Sequence, residues 1–305
     1  MVKRMINNKT VCTEEFRDLY PFESNFARVN GFDMHYVDEG AGKPVIMVHG
    51  NPTWSFYYRR IIQALSDGYR TIVPDHIGCG LSDKPGDDRY DYTLERRVSD
   101  LDRFISRLDL EEKITFILHD WGGMIGLAWI LENPERVDRV VITNTSGFFL
   151  PKDKSFPLPL KFIKYAPFLS TPLVLGLNLF SRGAVHLAAR TRLDRKVKKG
   201  FTAPYNSPAN RIATLRFVQD IPLTPEDRSY RIVEQVEKEL FRLNELPVLI
   251  LWGAKDFVFD MHFFRQWERM VPNAQTRVFE NAGHYLFEDR PDETSRLIRG
   301  FLITG

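Results

Sequence analysis

The segment ITFILHDWGGMIGLAWI, residues 114–130, carries an aspartate where an apolar strand pattern changes to an apolar helical one. This change predicts a sharp strand–turn–helix with Asp120 at its tip, the place that serine nucleophiles occupy in many hydrolases. A carboxylate is normally ionised near neutral pH, so it needs no base to become a nucleophile. It can displace a leaving group from saturated carbon, which predicts an ester between the substrate and Asp120. The alternative is that Asp120 only caps the following helix.

Two other residues offer hydrogen-bond donors to a departing anion. The segment MVHGNPTWSFYYR, residues 47–59, ends a predicted strand and presents the backbone N–H and the side-chain amide of Asn51 near the same sheet edge. Trp121 adds an indole N–H, which donates and cannot accept. Two neutral donors suit a leaving anion better than a metal ion. Turn formation by Asn51 and core packing by Trp121 are the alternatives.

A histidine and a second aspartate follow the last two predicted strands. His284 lies in FENAGHYLFEDRP, residues 279–291, where it could activate water to cleave the ester. Asp256 lies in ILWGAKDFVFD, residues 250–260, where it could hold the other imidazole nitrogen. The order Asp120, Asp256, His284 is the nucleophile–acid–histidine order of α/β-hydrolases. Structural roles are expected for the remaining histidines, with His49 and His119 orienting their own loops.

Strands that alternate with helices must position these residues. Apolar runs predict strands at residues 44–50, 69–75, 113–120, 137–145, 246–253 and 274–280, and FARVN with DMHYVDEG predicts an antiparallel pair. Helical patterns occupy about 54–66, 93–109, 122–132, 261–270 and 291–303. The alternation predicts an α/β fold, with a largely parallel sheet and helices on both of its faces.

The alternation stops between about residues 147 and 240, where prolines interrupt the helical periodicity and no strand pattern occurs. This stretch falls between two predicted strands, so we predict a helical lid over the carboxyl edge of the sheet. Residues 147–240 are called the lid segment below. Residues 1–146 and 241–305 form the predicted core. An ordinary helical subdomain is the alternative.

Composition limits the classes of protein that fit. The formal charge of +2 gives no nucleic-acid footprint, and Cys12 and Cys79 cannot form a disulfide framework. The basic N-terminus lacks the apolar centre of a signal peptide, and no apolar run reaches membrane-spanning length. We expect a soluble cytoplasmic protein without a cofactor or a metal. The basic run at about 190–199 is expected to be a solvated helix face, with an acidic partner or a membrane surface as the alternative.

With these residues in hand, the chain resembles an α/β-hydrolase of the haloalkane dehalogenase family. The resemblance rests on HGNPTWSFYYR, PDHIGCGLSDKP, LHDWGGMIG, GAKDFVF and GHYLFEDRP and runs over nearly the whole length. It implies an eight-stranded sheet, Asp120 as nucleophile, His284 as base and Asp256 as its orienting acid. It also implies that Asn51 and Trp121 bind the leaving anion and, through their backbone amides, the oxyanion. Some branches carry the acid after the preceding strand, but that position falls near the neutral Asn144.

The resemblance leaves more than one reaction open. Hydrolytic dehalogenation is ranked first, because it needs only the residues above. The stretch APYNSPANRIATLRFVQDIPL, residues 203–223, is similar to a subgroup that includes β-lactone decarboxylases of long-chain olefin biosynthesis, and this alternative ranks nearly level. Epoxide hydrolases share HDWGG and use two lid tyrosines, for which Tyr165, Tyr205 and Tyr230 are candidates. A small-molecule receptor with this fold is the non-enzymatic alternative.

The expected partner is an apolar small molecule, because residues 156–180 are rich in large apolar side chains such as Phe162, Phe168 and Leu175. The same side chains could instead form the core of the lid segment, or meet a membrane or another subunit. The sequence also leaves open a homo-oligomer or an association with other enzymes of a pathway.

Overall fold

The computed structural model describes residues 3–7 and 9–303. Ten strands are found in this part of the chain: β1 (Lys3–Ile6), β2 (Lys9–Cys12), β3 (Asn25–Val29), β4 (Phe32–Glu39), β5 (Pro44–Val48), β6 (Arg70–Pro74), β7 (Ile114–Asp120), β8 (Val137–Thr145), β9 (Val248–Gly253) and β10 (Gln275–Phe279). The core helices are α1 (Arg59–Leu65), α2 (Leu94–Ile105), α3 (Trp121–Glu132), α10 (Met261–Met270), α11 (Leu286–Asp289) and α12 (Pro291–Ile303).

Eight of these strands form one sheet in the order β10-β9-β8-β7-β5-β6-β4-β3. The neighbours from β10 to β6 run parallel, while β4 runs antiparallel to both β6 and β3. The predicted fold class and the predicted antiparallel pair are therefore confirmed. The segment before β3 contributes a separate two-stranded antiparallel sheet of β1 and β2, which the sequence patterns did not predict.

Both faces of the sheet are covered by helices, as the uninterrupted apolar strands require. Alternate residues of β5 show this directly: Val45 and Met47 join the cluster that contains side chains of α1 and α12, whereas Ile46 and Val48 join the cluster that contains α2, α3 and α10. Every residue of the central strand β7 is buried. The strand that carries Asp120 is therefore held rigidly from both sides.

The lid segment is helical wherever it has regular structure. Its helices are α4 (Leu158–Tyr165), α5 (Pro167–Thr171), a single π turn at Pro172–Gly176, α6 (Leu179–Leu187), α7 (Arg195–Thr202), α8 (Ile212–Gln219) and α9 (Tyr230–Glu239). A small apolar cluster centred on Leu160, Ile163 and Leu215 joins α4 to α8. Among the described residues, no single helix is long and apolar enough to cross a membrane, although 167–176 and 179–187 pass that test together despite a 74° bend between them.

Candidate active site

Asp120 lies at the junction of β7 and α3 in a backbone conformation that non-glycine residues seldom adopt, with φ of 52° and ψ of −128°. This sharp turn requires a glycine at residue 122, because a Cβ there would overlap the carbonyl oxygen of Val48. The hydroxyl of Thr145 donates a hydrogen bond to the Asp120 carbonyl oxygen. The turn therefore holds the carboxylate at the carboxyl edge of the sheet, as the sequence predicts.

The Asn51 loop comes to Asp120 because β5 is the parallel neighbour of β7, with Val48 paired to Leu118. The backbone N–H of Asn51 donates to Asp120 Oδ1 at 2.6 Å. The backbone N–H of Trp121 also lowers the pKa of the Asp120 carboxyl. Both amides expected to form an oxyanion site therefore act on the Asp120 carboxylate, and the Asn51 amide bonds it directly.

The side chains of Asn51 and Trp121 both line the cavity that contains Asp120. Asn51 Nδ2 donates one hydrogen bond to the carbonyl oxygen of Thr214 at 3.0 Å, which leaves its second N–H for another acceptor. The Trp121 ring packs against Phe217 with a centroid distance of 5.3 Å, and its indole N–H has no acceptor among the described residues. Thr214 and Phe217 both belong to α8, so the lid segment orients both donors.

His284 and Asp256 form the second half of the site. The imidazole Nδ1 of His284 lies 2.8 Å from Asp256 Oδ2, and its Nε2 lies 3.6 Å from Asp120 Oδ2. Asp256 is fully buried, and the backbone N–H of Val258 donates to its other oxygen at 2.7 Å. All three members of the predicted triad therefore meet at one point, with the imidazole between the two carboxylates.

Asn144 supports this arrangement at the end of β8, where some branches of the resembled family have their acid. Its Nδ2 donates to Asp256 Oδ2 at 3.0 Å, and its Oδ1 accepts the backbone N–H of Gly253 at 2.8 Å. An amide can serve the Asp256 carboxylate as a donor, whereas a second carboxylate would repel it. The neutral residue at position 144 therefore fits Asp256 as the acid.

The two loop histidines make structural contacts, as expected. His119 Nε2 donates to the carbonyl oxygen of His284 at 2.9 Å, which fixes the main chain of the proposed base. His49 Nδ1 donates to the Gly50 carbonyl oxygen at 2.8 Å, and its Nε2 accepts the backbone N–H of His76 at 3.0 Å. Both rings are fully buried. They stabilise the loops on either side of Asp120.

Burial and charge shift the two central pKa values in the same direction. Burial raises the pKa of the Asp120 carboxyl above its ordinary value, against the opposing effect of His284 and of the N–H groups from Asn51 and Trp121. Burial lowers the pKa of His284, but attraction to Asp256 and Asp120 and the bond to Asp256 outweigh it, so the pKa is raised. Esterification of Asp120 would remove its negative charge and so lower the pKa of His284. A larger fraction of the imidazole would then be neutral and able to accept a proton.

The cavity above these groups has a volume of about 380 Å³ and is almost entirely apolar. Its polar groups, including Asp120, Asn51, Trp121 and His284, lie at the core end, and the lid segment supplies apolar side chains such as Leu160, Val174 and Val218. A site of this kind binds a greasy molecule and orients it through a few polar contacts at one end.

The tyrosines proposed for epoxide opening are outside this cavity. Tyr165 is exposed, the Tyr205 hydroxyl donates to the carbonyl oxygen of Thr53 at 3.2 Å, and the Tyr230 ring stacks on Phe149 with a centroid distance of 4.3 Å. In the part of the chain that the structure describes, none of these three tyrosines lines the cavity. The described residues also contain no group of three or more histidine, cysteine, aspartate or glutamate side chains that could hold a metal ion.

Sequence reasoning did not find the roles of Thr214 and Phe217, which position Asn51 and Trp121 from α8. The contact uses the backbone carbonyl of Thr214 and the ring face of Phe217, and both residues are more than 90 positions from their partners. Neither residue type is diagnostic of a site. No pattern in the sequence connects them to it.

Comparison with known proteins agrees with the fold described above. The sequence profile of the α/β hydrolase fold family matches residues 43–291. The cis-3-alkyl-4-alkyloxetan-2-one decarboxylase of Shewanella oneidensis is 48% identical over 285 residues, which cover 93% of this chain and 89% of that protein. A haloalkane dehalogenase of Mycolicibacterium paratuberculosis is 33% identical over 289 residues, 92% of either chain.

Among solved structures, a variant of the haloalkane dehalogenase DatA from Agrobacterium tumefaciens C58 superimposes with a TM-score of 0.82 at 25% identity. The match covers 92% of this chain and 96% of that one. The likeness therefore extends over both the sheet and the lid segment.

Proposed function

We propose that this chain, which belongs to the α/β-hydrolase fold family as a haloalkane dehalogenase-like member, decarboxylates cis-β-lactones to olefins. The observation that carries this choice is the 48% identity with a protein named as such a decarboxylase, against 33% with a dehalogenase. The apolar cavity fits the two alkyl chains of such a lactone. Its polar groups, Asp120, Asn51, Trp121 and His284, would receive the ring.

The first step uses Asp120 as the nucleophile. An oxygen of the carboxylate attacks the ring carbon that carries the ring oxygen, a new C–O bond forms, and the ring C–O bond breaks. The product is an ester on Asp120 whose alkyl group bears a free carboxylate. The N–H groups of Asn51 and Trp121 receive this negative charge, as donors at an anion site do.

The second step needs neither water nor a proton. The bond from the neighbouring carbon to the carboxylate breaks and releases carbon dioxide, its electron pair forms the double bond, and the ester C–O bond to Asp120 breaks. Asp120 returns as a carboxylate. A protonated His284, 3.6 Å away and held by Asp256, would stabilise that returning charge.

A second candidate, hydrolytic dehalogenation, is favoured by the position of His284. Its Nε2 faces Asp120 Oδ2 at 3.6 Å with Asp256 behind it, the geometry of a base that activates water against an ester. Decarboxylation has no use for such a base. Halide release would use the same two donors. Epoxide hydrolysis is less well supported, because the three candidate tyrosines are outside the cavity.

Product analysis tests the first candidate. A long-chain cis-β-lactone is incubated with the enzyme, and the extract is analysed for the olefin by gas chromatography, with Asp120→Asn as the matched control. We expect olefin from the wild type and none from the control. A β-hydroxy acid without olefin would refute decarboxylation and support a hydrolase.

Isotope labelling tests whether water attacks the ester. The wild type is run through many turnovers in heavy-oxygen water, and the peptide that contains Asp120 is weighed. Decarboxylation leaves the carboxylate unlabelled, whereas hydrolysis transfers oxygen into it. A labelled peptide after lactone turnover would contradict the proposed route.

Trapping tests the second candidate separately. His284→Phe is mixed with a bromoalkane, and its intact mass is compared with that of Asp120→Asn/His284→Phe treated in the same way. An alkyl adduct on the first protein alone supports a hydrolytic dehalogenase. No adduct, together with no halide release by the wild type, excludes it.

A further inference from the structure

The outer surface of α4 to α6 exposes many large apolar side chains, which is unusual for a surface that has no partner. We call it the lid apolar surface. Phe168 is 90% exposed, and the other members are Leu158, Phe162, Tyr165, Leu169, Leu177, Leu179 and Leu187. They come from one continuous stretch of 30 residues.

The charges of the same stretch have a single sign. Residues 154–193 contain six lysines and arginines and no aspartate or glutamate. Lys154 and Lys164 are paired with Asp260 and Asp227. The other four are exposed and form no ion pair among the described residues: Lys161, Arg182, Arg190 and Arg192. The nearest carboxylates in sequence, Asp153 and Asp194, flank the stretch.

The basic run that follows behaves differently. Lys196 is paired with Asp18 at 2.8 Å, and Lys199 with Glu15 at 3.1 Å. These two cations therefore attach α7 to the segment that follows β2. Four unpaired cations therefore lie in the stretch that also carries the apolar surface, and Arg195 and Lys198 of the basic run form no ion pair among the described residues either.

The lid apolar surface is continuous with the wall of the active-site cavity. Phe162, Leu179 and Leu187 belong to the lid apolar surface and also line the cavity, and the exposed Phe257 of the core lines it too. An apolar molecule could therefore move from this surface into the cavity while it stays in contact with apolar side chains.

We propose that the lid apolar surface docks on an anionic lipid bilayer, with its aromatic and leucine side chains in the headgroup boundary and its unpaired cations on lipid phosphates. Buried apolar area and positive charge both strengthen the binding of a peripheral protein to an anionic bilayer. An acidic protein would meet the cations but would not account for the apolar rim of the cavity on the same side.

The inner faces of α5, the π turn and α6 are packed in the protein through Ser170, Val174 and Val185, so the surface lies on the bilayer rather than crossing it. Vesicle binding is measured without turnover, so this inference is independent of the proposed reaction.

Co-sedimentation with vesicles tests the apolar contribution. The full chain is mixed with vesicles of equal parts phosphatidylglycerol and phosphatidylethanolamine. Phe168→Asp is compared with Phe241→Asp, which makes the same change at another exposed phenylalanine, 62% exposed and outside the lid segment. We expect binding by the wild type and by Phe241→Asp, and at least a tenfold loss for Phe168→Asp. Equal binding by all three proteins, or none by the wild type, would overturn the proposal.

Charge and self-association are tested in parallel. Lys161→Gln and Arg182→Gln should each weaken binding about fivefold, added salt should weaken wild-type binding, and phosphatidylcholine vesicles should bind little. Equal affinity for phosphatidylcholine would overturn the electrostatic part.

Light scattering tests self-association. If the wild type is a dimer that Phe168→Asp converts to a monomer, and no vesicle binding occurs, the surface belongs to a second copy of the chain and the bilayer proposal is refuted.

Discussion

The carboxyl edge of the sheet and the lid segment enclose one cavity, but different forces hold them. At the sheet edge, Asp120, Asp256 and His284 are each fixed by short polar contacts, such as the 2.6 Å bond from Asn51 and the 2.8 Å contact between imidazole and carboxylate. Around the cavity, the lid segment contributes almost only apolar surface. Directional bonds fix atoms to tenths of an ångström, whereas apolar packing accepts substitutions of similar volume.

This difference suggests a division of labour. In both proposed reactions the sheet edge supplies the attacking carboxylate and the donors that stabilise an anion. We expect the lid segment to select the molecule that reaches them. Contacts from α8 to Asn51 and Trp121 join the two regions at the site, so the lid segment also positions the two proposed anion donors.

Replacement of the nucleophile should have the largest effect. Asp120→Asn removes the charged oxygen that forms the ester, and we expect kcat to fall at least about 10⁴-fold on any substrate. Asp100→Asn is the control, because it makes the same change at a buried aspartate that bonds Asn30 and Tyr90 away from the cavity. Steady-state kinetics measures both. Substantial turnover by Asp120→Asn would refute the whole mechanism.

Removal of one anion donor should have the next largest effect. Trp121→Phe keeps a ring against Phe217 but deletes the indole N–H, and we expect kcat to fall about 100-fold. If the donors serve the leaving group, KM should change much less than kcat. A change in KM alone would mean that Trp121 acts only in packing and substrate binding.

A change in the lid segment should alter selectivity rather than chemistry. Val174→Phe fills part of the cavity, so we expect kcat/KM to fall about tenfold for the longest substrates and little for short ones. Val236→Phe makes the same change at a buried valine of α9 that does not line the cavity. A series of substrates of increasing chain length measures the ratio. An equal loss at every length would contradict selection by the lid segment.

The pH profile should show the smallest effect and distinguishes the two reactions. Hydrolysis needs neutral His284, whose pKa is raised above 6.5, so its rate should fall as the pH drops through that raised pKa. Decarboxylation needs no base, so its rate should persist to lower pH, until Asp120 is protonated. Burial raises the Asp120 pKa above 3.8, so that loss should come at higher pH than for a free aspartate. If the rate of olefin formation also fell as the pH dropped through the pKa of His284, that result would contradict a route without a base.

Much of the fold could be predicted because local patterns and tertiary packing agree in the core. The helical patterns at 261–270 and 291–303 coincide with α10 and α12, and the strand pattern at 137–145 coincides with β8. The pattern at 54–66 corresponds to a 3₁₀ turn at Ser55–Tyr58 followed by α1. The hairpin of β1 and β2 was missed, because two four-residue strands carry too little periodicity to detect.

The predicted site residues meet for a topological reason. Each follows a parallel strand or begins the next helix, and the carboxyl ends of parallel strands share one sheet edge. Their roles stay predictions until the variants above are measured. The 3.0 Å hydrogen bond from Asn144 to Asp256 joins the ends of two different strands. No pattern in the sequence predicts it.

The sequence by itself determined the α/β architecture and the chemical types at the sheet edge, because strand and helix periodicities and turn residues are local properties of the chain. Only the tertiary structure decided that Thr214 and Phe217 contact Asn51 and Trp121, that the candidate tyrosines are outside the cavity, and that the apolar residues of 158–187 supply both cavity wall and exposed surface. Those outcomes depend on how α4 to α9 pack over the sheet. That packing is set by contacts between residues far apart in the chain, which no local pattern encodes.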